Sequence, residues 1–192
     1  MKIKNAAKRS LIIIVILVLS IIIGYLYHQI WHNIDLKNHP RTYSEFVEKY
    51  AADYGVPEHI VYSVIHTQSS FQSNKVSDDG KIGLMQISPE TFEWLTTLTK
   101  EELDYGILYD PDTNIKYGTY MLSYLFTKYG RWKTVFAAYE DGIDTVNVWL
   151  QDSNNLDSNG NLAKIPSKST SATVAEIEDS MNVYYKLYYE EK

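Results

Sequence analysis

Amides, carboxylates and phenols are the groups with which this chain could do chemistry, since its 192 residues include no cysteine. Thiolate nucleophiles, thiolate metal ligands and disulfides are thereby excluded. Gln68 heads the run Gln68-Ser69-Ser70-Phe71 and falls on the same helical stripe as Ile60, Val61, Val64 and Ile65. An amide on an apolar stripe requires a polar partner or a cleft in front of it. Farther along, Gly83-Leu84-Met85-Gln86-Ile87 combines a glycine, an apolar side chain and a second amide. Tyr139-Glu140-Asp141-Gly142 sets a phenol beside two carboxylates.

Several other polar residues have plainer readings. His66 lies two residues before Gln68, about 200° around a helix, and reads as a surface histidine turned away from that stripe. Asp78-Asp79 reads as a solvated turn, and Glu140 by itself as a solvated helix-end carboxylate. His32 and His39 show no metal-ligand spacing, and Asp110-x-Asp112 lacks the glycine and distal glutamate of a calcium loop. Neither a metal nor a cofactor is expected.

These residues must be carried by helices joined through short breaks. Thr42 and Glu45 have the spacing of a capping box, opening a helix with Tyr43, Phe46, Val47, Tyr50, Ala51 and Tyr54 on its apolar face. Gly55 closes that helix and Pro57 starts the one that reaches Gln68. Residues 72–82 are polar and contain glycine, a loop, and Ser88-Pro89 then reads as an N-cap followed by an N1 proline. Asp112 is expected to cap a helix ending at Gly130, with amphipathic segments over 132–139 and 143–150 behind it. Residues 151–161 form a polar loop. The Ser/Thr-rich piece 167–173 is expected to precede a last helix carrying Val174, Ile177, Met181, Tyr184, Tyr185 and Tyr188. No sustained period-two alternation argues for a sheet, so the predicted fold class is all-α, with about 150 residues around one core.

The order of these motifs resembles the soluble lytic transglycosylase (SLT) family, relatives of goose-type lysozyme. The resemblance runs from about residue 43 to 150: Tyr54-Gly55-Val56, Ile65 to Phe71, Ser77 to Ile87, Asp110-Pro111 with Asn114-Ile115 and Gly118, and Ala137-Ala138-Tyr139 with Gly142. It implies a lysozyme-like helical domain with a long substrate cleft, cutting peptidoglycan glycan strands without water to leave a 1,6-anhydro end. In the family a glutamate at the Gln68 position is the single acid, kept protonated by apolar walls. The sugar's own acetamido group supports the positive centre, and its 6-hydroxyl closes on C1. The resemblance assigns Ser69, Gly83, Leu84, Met85 and Gln86 to substrate binding. In that assignment the glycine admits the saccharide, Met85 gives an apolar contact and Gln86 an amide hydrogen bond. Tyr139 would orient the acid, and Glu140 would lie beside the substrate.

Three regions depart from the family pattern. Gln68 has nearly the shape of glutamate but no proton to give, a loss worth about 10²–10⁴ in rate. Glu140-Asp141 replaces Asn-Ala between Tyr139 and Gly142. After Ile165-Pro166, the segment Ser169-Thr170-Ser171-Ala172-Thr173 stands where the family has a Glu-Thr-Arg-x-Tyr stretch that closes the cleft. The expectation is a domain that binds glycan, or scaffolds a cell-envelope complex, without appreciable lytic activity. The alternatives are an engineered glutamate-to-glutamine change in an active enzyme, and Glu140 as a relocated acid beside Tyr139.

Ahead of the domain, Lys2, Lys4, Lys8 and Arg9 precede an apolar run from Leu11 to Tyr27 that only Ser20 and Gly24 interrupt. Seventeen residues span roughly 25 Å, near the lower limit for a bilayer. No small-x-small cleavage site follows, and Tyr25, Tyr27 and Trp31 would sit at headgroup level. A retained single-pass anchor over 11–27 is expected, rather than a cleaved signal peptide. The basic tail 1–10 would then lie in the cytoplasm, with a linker over 28–41 and the domain 42–192 outside. Residues 40–192 carry 13 Lys and Arg against 23 Asp and Glu, a balance of −10. That charge repels nucleic acid and anionic headgroups but not a neutral sugar backbone. The 17 tyrosines suit stacking on sugars as well as core packing. Expected partners are glycan strands, the membrane through the N-terminal helix, and cell-envelope proteins, with no nucleic acid.

Overall fold

A computed structural model describes the backbone of residues 2–190 and the side chains of residues 13–190. Met1, Glu191, Lys192 and the side chains of the expected basic tail lie outside the described residues. The chain divides into two units, Met1–Pro40 and Arg41–Lys192.

The first unit is built on one helix, α1 (Lys2–Asn38). Within it, the 26 residues Ile13–Asn38 are long and apolar enough to cross a membrane. At 1.5 Å per residue they reach about 39 Å, more than the roughly 30 Å hydrocarbon layer. Side chains 13–28 are all exposed, unlike those of a soluble core helix. Most of the expected linker is itself helical, because α1 continues past Tyr27 to Asn38.

The second unit is all-α, as its sequence predicts. Its helices are α2 (Ser44–Tyr54), α3 (Glu58–Ser69), α4 (Pro89–Thr99), α5 (Pro111–Tyr129), α6 (Trp132–Asp141), α7 (Ile143–Trp149) and α8 (Lys168–Tyr188). Among the described residues only isolated β-bridges occur, two of them in the 72–88 loop (Val76–Ile82 and Ile82–Ile87). Helix α3 packs on α8, α5 packs on α2 and α6, and α6 also meets α8. Tyr62, Tyr117, Phe136 and Tyr184 are the largest fully buried side chains of the core. The rings of Tyr62 and Tyr184 stack 5.4 Å apart and tie α3 to α8.

Gly55 (φ 68) and Gly130 (φ 66) end α2 and α5 in the left-handed conformation that glycine adopts freely. Ser88 caps α4 by accepting the Thr91 N–H at 3.1 Å. Other boundaries differ from the sequence reading. Thr42 does not cap α2; the chain enters through a left-handed Tyr43 (φ 63) whose carbonyl accepts the Phe46 and Val47 N–H groups. Asp110, not Asp112, caps α5, because Pro111 occupies N1 and leaves Asp110 to accept from Thr113 N–H at 3.0 Å. The Ser/Thr-rich piece forms the first turns of α8, since the Ser167 hydroxyl accepts the Thr170 N–H at 3.3 Å. His66 is not a surface histidine. Helix α8 covers its side of α3, with Ser180 Oγ 3.2 Å from Nδ1 and the Tyr184 ring edge-on.

Candidate active site

Two helix C-termini meet at the site. Helix α3 stops because Ser70 (φ 50) and Phe71 (φ 64) turn left-handed, and the Ser70 N–H closes onto His66 O at 2.9 Å. Helix α6 stops at Gly142 (φ 84), whose N–H closes onto Ala138 O at 3.0 Å. Consecutive positive-φ residues without glycine are costly, and such strain concentrates where side chains must be aimed. The last turns of α3 and α6 carry Gln68 and Glu140. The Gln68 side-chain amide donates to Glu140 Oε1, so the polar partner that Gln68 needs is Glu140. The backbone there is held as well, by the Lys75 ammonium donating to the Gln68 main-chain carbonyl.

Glu140 is therefore not a solvated helix-end carboxylate. Its side chain is 13% exposed, covered by Gln68 and by Lys81, whose Nζ lies 3.9 Å from Oε2. Burial pushes its pKa up; Lys81 and the Gln68 amide oppose that shift, and the charges of Asp141 and Asp79 add to it. The net direction is upward. The C-terminal end of α6, the negative pole of the helix, is also unfavourable for a carboxylate.

A cavity of about 360 Å³ opens beside Glu140, in the size range of small-ligand sites. Asp79, Lys81 and Gln86–Ser88 wall it from the loop, Glu90 and Thr91 from α4, Met121 from α5, and Tyr139–Gly142 from α6. Asp79 stays exposed, as a turn residue should, and its carboxylate lies 3.6 Å from Lys81 Nζ. Gln68 is not in the wall and reaches the cavity through Glu140.

The strip Gly83–Ile87 is clamped from two helices. Fully buried Asn114 on α5 accepts the Met85 N–H at 2.8 Å and donates to Leu108 O at 2.8 Å and Ile82 O at 3.0 Å. From α6, the Tyr139 hydroxyl donates to Met85 O at 2.7 Å. Most of the expected binding residues are engaged by other groups of the protein. A Cβ on Gly83 would lie 2.0 Å from Asn114 Nδ2, so the glycine makes room for Asn114. Met85 is fully buried, its sulfur 2.3 Å from where a Gly118 Cβ would stand, and Leu84 is fully buried as well. Ser69 is buried with its hydroxyl donating to Ile65 O. Gln86 (φ 49) does line the cavity, but its amide donates to Gly83 O at 2.8 Å and Lys75 O at 3.1 Å. Tyr139 lines it too; its hydroxyl holds Met85 and does not orient the residue at 68. Burial raises the Tyr139 pKa, so it remains a donor in that bond.

Sequence reasoning passed over Lys81, Asn114 and Thr170. Thr170, in the first turn of α8, donates its hydroxyl to Asp141 Oδ2 at 2.6 Å and so occupies the carboxylate next to Glu140. Asn114 belongs to the motif order but carried no role there, and Lys81 adjoins the acidic turn. Only their partners, far away in sequence, reveal what they do.

Comparison with known proteins supports the fold. The Transglycosylase SLT domain profile matches residues 45–162. The chain is 27% identical over 173 residues to the soluble lytic murein transglycosylase of Escherichia coli K12, covering 85% of this chain and 26% of that protein. It is 31% identical over 137 residues to the membrane-bound lytic murein transglycosylase C of Yersinia pestis, covering 64% of this chain and 37% of that one. The chain thus spans about a quarter to a third of the length of these relatives. The 70 kDa soluble lytic transglycosylase of Escherichia coli superposes with a TM-score of 0.75 at 25% identity, over 81% of this chain and 26% of that one. An inactive Glu-to-Gln mutant of the lytic transglycosylase Slt from Pseudomonas aeruginosa superposes with a TM-score of 0.69 at 26% identity, over 77% and 24%. With the profile covering more than half of its length, this chain belongs to the Transglycosylase SLT domain family.

Proposed function

We propose that this chain is a membrane-anchored, extracytoplasmic lytic-transglycosylase-like protein that takes peptidoglycan glycan strands into the cavity beside Glu140. The observation that carries this reading is the cavity, walled by the family strip and the end of α6. The relatives are named as murein transglycosylases, one soluble and one membrane-bound, which supports murein glycan as the ligand class. Ile13–Asn38 supplies the anchor, and the basic residues ahead of it favour a cytoplasmic tail with the domain outside.

The family reaction breaks the MurNAc–GlcNAc bond and leaves a 1,6-anhydro end. An amide at position 68 gives it no proton, and the Pseudomonas aeruginosa Slt mutant with a Glu-to-Gln change is described as inactive. That amide favours a second reading, a glycan-holding or scaffolding component of a cell-envelope complex without turnover. Both readings require binding, and pull-down of the full chain in detergent micelles on insoluble peptidoglycan tests it. Retention is expected, weakened tenfold or more by Thr91→Trp, which fills the cavity. No retention, or retention indifferent to the filled cavity, would defeat the assignment.

A further inference from the structure

We propose that Glu140 is the general acid of this chain's own glycan cleavage, exchanged with the amide at position 68 across one hydrogen bond, and that Gln68 positions it. This rests on the glycan-binding reading above. The resemblance implies glutamate at position 68 and asparagine at position 140, whereas this chain has glutamine and glutamate there. Loss of the acid alone would leave two amides facing each other. One carboxyl and one amide remain, in inverted order and in direct contact. Transfer between the two positions hands the carboxyl to the side chain on the other end of that contact, and the new carrier lines the cavity whereas Gln68 does not.

The surroundings suit an acid that starts protonated. The groups that act on Glu140 are Gln68 from α3, Lys81 and Asp79 from the loop, and Tyr139 and Asp141 from its own helix. The Lys81 charge is shared, with Asp79 at 3.6 Å and Glu140 at 3.9 Å, longer than a hydrogen-bonded ion pair. Asp141 is held by the Thr170 hydroxyl, and its charge disfavours a second carboxylate alongside. Burial favours the neutral acid.

In the step itself, the Glu140 proton passes to the glycosidic oxygen as the C1–O bond breaks. The bonding electron pair leaves with that oxygen, which becomes the 4-hydroxyl of the departing sugar. The acetamido oxygen supports the positive charge at C1, and the 6-hydroxyl oxygen then bonds C1. The proton of that hydroxyl returns to the Glu140 carboxylate. The acid is regenerated, and neither water nor a co-reactant is consumed.

The test incubates the full chain, in detergent micelles, with purified sacculi. Soluble products are read by mass spectrometry and bound protein by pelleting. The natural chain is expected to release anhydro-muropeptides, and Glu140→Gln to lower release by about 100-fold or more with pelleting unchanged. If Glu140→Gln loses its cooperative unfolding transition, Glu140→Asp replaces it, with release expected to fall tenfold or more. Unchanged release in the folded variant overturns the assignment. A natural chain that pellets without releasing anhydro products overturns it too, while leaving glycan binding intact. A chain that does not pellet overturns the binding reading underneath.

Discussion

Glu140 and Gln68 form a contact in which only one partner ionises, and this makes the pair sensitive to pH. Burial raises the folded-state pKa of Glu140, whereas in the unfolded chain a glutamate loses its proton near 4.3. The folded state therefore binds more protons, so stability is fullest below about 4.3, falls as pH rises toward the folded value, and stays lower beyond it. Glu140→Gln removes that titration. Thermal melts should show a flatter pH dependence for this variant and a higher melting temperature than the natural chain at neutral pH; parallel curves would contradict the buried-acid description. Gln68→Ala removes an interaction that pulls the Glu140 pKa down. Any lytic activity should then fall while its alkaline limb moves to higher pH, and a fall without that shift would mean Gln68 does not act through Glu140. That Gln68 needs a partner was legible in its apolar stripe. That the partner is Glu140 was not, because 72 residues separate them and carboxylates at helix ends are usually solvated.

Elements place these side chains, and the Gly83–Ile87 strip depends on α5 and α6 for its shape. Asn114→Ala would strip the Met85 N–H and the Ile82 and Leu108 carbonyls of a buried partner. At about 1–3 kcal/mol per orphaned group, a loss of roughly 3 kcal/mol or more is expected in urea unfolding. A loss below 1 kcal/mol would show the strip standing without its clamp. Helix ends were legible at Ser88 before Pro89, Gly55 and Gly130, but not at Thr42, where a left-handed Tyr43 opens α2 instead. Boundaries shifted where two candidates competed, as at Asp110 and Asp112, where the proline between them decides. The strip itself was legible as a motif, but not the protein groups that hold it. The sequence pattern cannot distinguish a glycine kept clear for a ligand from one kept clear for Asn114.

At the scale of the molecule, a helix of membrane-crossing length and an acidic SLT domain share one chain. The full chain should stay in the membrane pellet after alkaline carbonate washing. Protease added to the outside of intact spheroplasts should digest residues beyond 41. Release by carbonate, or protection of the domain until lysis, would contradict the anchored, outward arrangement. The all-α class and the motif order were legible because both rest on periodicity and spacing within short windows. The continuation of α1 to Asn38 was not, since residues 28–38 mix polar and apolar side chains without a helix-breaking glycine or proline before Pro40.

The most direct test of the account is a crystal structure of the Glu140→Gln variant with a GlcNAc–MurNAc oligomer. The strand should occupy the cavity bounded by Met121 and Tyr139, with a glycosidic oxygen within about 3.2 Å of the side chain at position 140. A strand bound on another face, or a glycosidic oxygen meeting Gln68 with residue 140 turned away, would contradict it.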